Sequence, residues 1–161
     1  MNTLTTSPMP SRHAIRSILE GLIGRDTTLS DAQPLPPRAS NLVAVYVTDK
    51  LAVSALAVIN LEAGARLGGA LAMLPKGGVD DAIAERDLYP ALRDNCYEVL
   101  NVLAAAFNVP NAPHVRLYEL LGPNGVVPAD LAAMSAMVGN RMDVKIEIAG
   151  YGSGLLSLVC R

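Results

Sequence analysis

The sequence predicts an α+β domain, an antiparallel sheet with helices packed on one face. Three observations carry this. Strand-sized runs rich in β-branched residues face one another across short turns, as in Leu42–Val47 and Leu51–Ile59. Several longer segments repeat apolar residues every three or four positions, one stripe each. The elements run helix, two strands, two helices, then strands with one minor helix between them, an order that suits a sandwich of helices on a sheet.

In chain order, residues 1–10 are polar and Pro-containing and are expected to form a flexible N-terminal tail, with 11–161 a single domain. Ser11 caps a first helix whose stripe is Ile15, Ile18, Leu19, Leu22 and Ile23, and Gly24 stops it. Residues 25–40, with Pro34, Pro36 and Pro37, form a connector or an irregular edge. The two strands 42–47 and 51–59 follow, joined at Thr48-Asp49-Lys50. Asn60 caps a second helix that buries Leu67, Ala70, Leu71 and Leu74 and ends at Pro75 and Gly77-Gly78. Residues 76–86 read as a charged linker with at most a short helical turn. Asp87 caps a third helix that runs to Asn108, with Pro90 in its first turn. Strands are expected at 114–121, 143–149 and 155–160, with Asp130 capping a short helix through Val138.

Composition narrows the function. The chain has 161 residues, of which 51% are hydrophobic, yet it holds one Phe, five Tyr and no Trp, so its core must be aliphatic. A net charge of −2 with no basic run argues against nucleic-acid binding, which needs phosphate neutralisation. Mean hydropathy is +0.32, but no apolar run approaches the roughly 18–20 residues that span a bilayer, so no membrane association is expected. The N-terminus lacks the apolar region of a signal peptide, and a cytoplasmic location is expected. Cys96 and Cys160 are isolated in apolar settings and read as reduced core thiols.

Most catalytic signatures are missing. There is no P-loop and no dinucleotide fingerprint. Gly150 to Gly154 lies between two strands and opens no helix, so it reads as a hairpin loop. His13 and His114 have no ligand-spaced partner, and no metal site is expected. Cys96 lies on the apolar side of its helix, away from both histidines. Asp94 and Glu98 alone would hold a cation weakly. Met134, Met137 and Met142 suit core filling better than a binding groove.

What remains is the third helix. Leu92, Cys96, Val99, Leu103 and Phe107 form its buried stripe, while Asp94, Glu98 and Asn101 fall in a narrow arc opposite, with Ala105 one turn on. On pattern alone such an arc is a solvated helix face. The wider order adds to it. Asn41–Pro75 (NLVAVYVTDKLAVSALAVINLEAGARLGGALAMLP) followed by Ala91–Asn108 (ALRDNCYEVLNVLAAAFN), with its Asp-x-x-x-Glu-x-x-Asn, resembles the CheX branch of the CheC/CheX/FliY chemotaxis phosphatases. The resemblance covers about residues 11–108. It implies an enzyme that hydrolyses the aspartyl-phosphate of a CheY-like response regulator. Glu98 would dock against a partner lysine, Asn101 would orient the attacking water, and Asp94 and Ala105 would contact the partner. It also implies a homodimer paired through the sheets, and no cofactor of its own, Mg²⁺ residing in the partner's receiver site. The chain departs from the family pattern in its short third helix and in an added helix over 130–142. Two further readings stay open: a non-catalytic scaffold or binding module of the same fold, in chemotaxis or flagellar-switch assembly, and a ligand-sensing domain that uses the aliphatic interior.

Overall fold

The computed structural model describes residues 4–161 and shows an α+β fold with one six-stranded, wholly antiparallel sheet. The elements are α1 (Arg12–Ile23), β1 (Thr27–Asp31), β2 (Leu42–Thr48), β3 (Val53–Ile59), α2 (Leu61–Leu71), α3 (Lys76–Ala84), α4 (Pro90–Leu103), β4 (Val115–Leu121), α5 (Ala129–Ser135), β5 (Arg141–Ile148) and β6 (Gly152–Cys160). In space the strands run β1-β5-β6-β3-β2-β4, so β2, β3 and β6 lie centrally and β1 and β4 form the edges.

The central strands read as unbroken apolar runs because both of their faces are covered. Alternation along β2 sends Leu42, Ala44 and Tyr46 into the main core and Val43, Val45 and Val47 into a smaller one on the other face. The main core lies under α1, α2 and α4, whose buried residues include Ile15, Leu67 and Leu92. The expected placement of all helices on one face is corrected at α5. Its Leu131 and Met134 pack on Val45, Leu56 and neighbours on the second face, beside the 32–40 segment. That valine row is strongly apolar and has to be covered by something.

Local signals explain most boundaries. Ser11 Oγ accepts from Ala14 N–H, and Gly24 closes α1 in the left-handed region at φ 68°. Asn60 Oδ1 accepts from both Ala63 N–H and Leu155 N–H, so one side chain caps α2 and ties it to β6. β5 and β6 pair up to Ile148 and Gly152, so their connection is only the turn 149–151, tighter than expected, with Gly150 at φ 84°.

Four expectations need correction. Residues 25–40, expected as a connector or an irregular edge, hold a regular edge strand, β1, in which Thr27–Asp31 pairs with β5. Residues 76–84, expected as a linker, form α3, because Val79 and Ala82 anchor it to the core despite two glycines. Asp87 does not cap the third helix: α4 starts at Pro90 after Tyr89, with no side-chain cap. Asp130 does not cap α5, which starts at Ala129 after Pro128, but lies in its first turn. Of the expected tail, residues 1–3 lie outside the described residues. In the remainder Leu4 N–H donates to Asn111 O, Ser7 is buried and Met9 packs on the core.

Candidate functional site

The arrangement is built from α4. Leu92, Cys96, Val99, Leu100 and Leu103 are all buried, which fixes the rotation of the helix about its axis. At about 100° per residue, Asp94, Glu98 and Asn101 then fall within an arc of about 60° on the opposite side. All three are exposed, as is Ala105. The geometry read from the sequence is therefore present. Among the described residues none of the three side chains makes a hydrogen bond or ion pair within the protein. Half-buried Tyr97 flanks the arc and packs on the core; its place beside the row was visible in the i, i+3 spacing from Asp94 and was missed.

Several contacts hold this helix in place. Tyr46 O–H donates to the Leu100 carbonyl at 2.7 Å from beneath, fully buried, and burial pushes its phenol well above the usual value. Arg93 reaches over to β4, donating to the Gly122 carbonyl at 2.9 Å and to that of Leu120. α2 approaches so closely that a Cβ on Gly68 would lie 2.4 Å from the Leu92 carbonyl oxygen. The glycine is thus required by the contact between the two helices.

The α-helix ends at Leu103, earlier than the expected Asn108, and a 3-10 turn Ala104–Phe107 carries Ala105. Phe107 explains the change, being fully buried with its ring centroid 5.1 Å from that of Tyr46. Asn108 then exchanges two hydrogen bonds with the backbone of Val115, which sets the start of β4.

Other candidates are placed away from this surface. Cys96 and Cys160 are free thiols buried in the core, and burial pushes them up to about 12 and about 11, so neither forms a thiolate readily. His114 is exposed beside Asp49, 3.7 Å away, at the opening of β4. Met134 fills the second core and Met142 packs on the first, whereas Met137 is 43% exposed. Among the described residues no three His, Cys, Asp or Glu side chains gather as a metal cluster, and no helix is long and apolar enough to cross a membrane.

A carboxylate and a carboxamide on a convex rod cannot enclose a small substrate. Two cavities on the other side of the sheet and at its end, of about 950 and 410 Å³, have no residue of α4 in their lining. Chemistry at this surface therefore needs a partner that brings its own concave site.

The fold is an antiparallel α+β sheet with this helix arrangement, and solved structures share it. A chain of the FliM–SpeE complex from H. pylori matches at TM-score 0.61 and 10% identity, over 92% of this chain and 80% of that one. The CheX–CheY–BeF3–Mg complex from Borrelia burgdorferi matches at TM-score 0.52 and 8% identity, over 92% and 93%. Chemotaxis protein CheX from Vibrio vulnificus matches at TM-score 0.51 and 8% identity, over 92% and 95%. No family model and no curated protein matches by sequence. The chain has the fold shared by CheX and the FliM middle domain.

Proposed function

We propose that the protein is a phosphatase for the aspartyl-phosphate of a CheY-like response regulator. The observation that supports this best is the exposed, unpartnered Glu98–Asn101 pair on a convex, firmly anchored helix of a CheX-type fold. In this reading the receiver seats over α4, and Glu98 forms a charge-assisted contact with its lysine. The Asn101 carboxamide holds a water in line with the phosphorus. The water oxygen bonds to phosphorus as the bond to the aspartyl oxygen breaks, which releases inorganic phosphate and restores the carboxylate. The receiver contributes Mg²⁺ and its lysine, so the helix needs only to position water, and positioning supplies much of the rate in phosphoryl transfer. Asp94 and Ala105 border the contact, the small alanine letting the partner approach closely.

The test is acyl-phosphate decay of candidate receivers with and without the protein. Acceleration that Asn101→Ala abolishes, with receiver binding retained, is the expected result. Unchanged decay across all receivers that bind would rule the reading out.

The FliM likeness supports a second reading, because the highest TM-score quoted above belongs to a chain of the FliM–SpeE complex. A binding module of this fold would capture its partner through α4 with no change in phosphate lifetime, and Asn101→Ala would be silent in decay. A homodimer belongs to the phosphatase reading: β1 and β4 each leave one edge without a strand neighbour among the described residues. Light scattering at twice 16.9 kDa is the expected result.

A further inference from the structure

The second face of the sheet carries a cavity of about 950 Å³ between the 32–40 segment and α5. Val43 and Val58 form its floor, and Leu35 and Met137 stand on opposite walls. Its polar end is already satisfied. Arg141 makes two 2.9 Å contacts to Asp143 and donates to the carbonyls of Ser135 and Met137, while Ser157 Oγ accepts from Leu35 N–H.

Two polar groups are left over, and both lie at the partition with a smaller adjoining cavity of about 410 Å³. The Arg38 guanidinium makes no hydrogen bond or ion pair among the described residues. Asn41 is 7% exposed, and its Nδ2 donates to the Pro36 carbonyl at 3.0 Å. Its Oδ1 is buried and accepts nothing. That oxygen is closed off from the cavity, so the Arg38 guanidinium is the polar group open to an occupant.

We propose that this cleft binds an anionic amphiphile: an apolar chain with a carboxylate at its end. The valine floor takes the chain and the carboxylate pairs with Arg38. Size favours a small molecule, since the volume lies within the roughly 300–1,000 Å³ usual for such sites. The floor comes from the central strands β2 and β3, so no free strand edge is offered to an extended peptide. The rim is apolar as well: Val138 is 92% exposed and Met137 43%, which leaves hydrophobic surface for an occupant to cover.

The test titrates N-dodecanoylglycine, below its micelle concentration, into the full chain, with its methyl ester as the uncharged comparison. Calorimetry gives affinities, and backbone amide shifts at Val43, Val58 and Ser157 give location. The acid should shift those amides and bind about tenfold more tightly than the ester. Arg38→Gln should reduce the acid to the ester's affinity. Ala132→Trp, on the exposed wall of α5, should block both, and Ser135→Trp serves if that variant does not fold. Equal affinity of acid and ester overturns the proposal, as does absence of shifts at the three amides or binding that survives the blocked wall. Shifts caused by an acidic amphipathic peptide but not by N-dodecanoylglycine would also overturn it, making the cleft a protein-docking surface.

Discussion

The two faces of the sheet are covered in different ways. On one, α1, α2 and α4 form a continuous core in which Leu92, Cys96 and Val99 are fully buried and a glycine is needed to let two helices meet. On the other, the short α5 and a Pro-rich segment bury the valine row but leave between them a cavity of about 950 Å³. The close-packed face holds a rigid helix whose outer side is free to meet a partner. The open face has room for a ligand. A catalytic group that must hold a water in line belongs on the first, because small misplacement there is costly.

The largest contrast is in stability. Leu92→Ala should cost about 3 kcal/mol, lowering Tm by roughly 6–12 °C, because it opens a void in a packed core. Val58→Ala should cost only about 1 kcal/mol, since Val58 already borders open space. Thermal melts of the two variants decide this, and equal losses would erase the distinction. Next comes activity: Asn101→Ala should reduce receiver dephosphorylation about a hundredfold, some 2.7 kcal/mol of barrier, with Tm unchanged. Met137→Ala on the other face should leave the rate within about twofold by the same reasoning.

Gly68→Ala sharpens the comparison from inside. With its Cβ 2.4 Å from the Leu92 carbonyl oxygen, α4 must move, so a cost of about 2 kcal/mol and a lower phosphatase rate should appear together. A stability loss with full activity would show that the helix position is less critical than argued. The smallest effect concerns Asp143 on the open face. Burial alone would raise its pKa, but the two-pronged Arg141 contact, with Ser157 beside it, outweighs this and holds the carboxyl below its usual range. A depressed folded value means that the group stabilises the fold above the unfolded carboxylate pKa of about 4. That contribution is lost as pH falls through the lower folded value. Urea unfolding of the wild type and Asp143→Asn should therefore differ at pH 7 and converge in strong acid.

Much of this was legible in the residues. Period-3.6 stripes placed α1, α2 and α4, caps at Ser11 and Asn60 fixed two helix starts, and β-branched runs located β2 and β3. The arc of Asp94, Glu98 and Asn101 could be read because helical geometry alone sets it. β1 and α3 could not be read in the same way. Thr27–Asp31 is polar and extended only because β5 offers a partner, and Lys76–Ala84 is held by two side chains on a distant core. Residues close in space but far apart in sequence leave no local trace.

The sequence by itself determined that α4 would show an acid and an amide on one side and an aliphatic stripe on the other, because a 3.6-residue repeat admits no other outcome once the segment is helical. Only the tertiary structure decided that the row stays uncovered, that α5 crosses to the far face, and that Arg38 and Asn41 meet at a cavity. Those outcomes depend on which apolar surfaces pack against one another, a matter of long-range contacts that local patterning does not show.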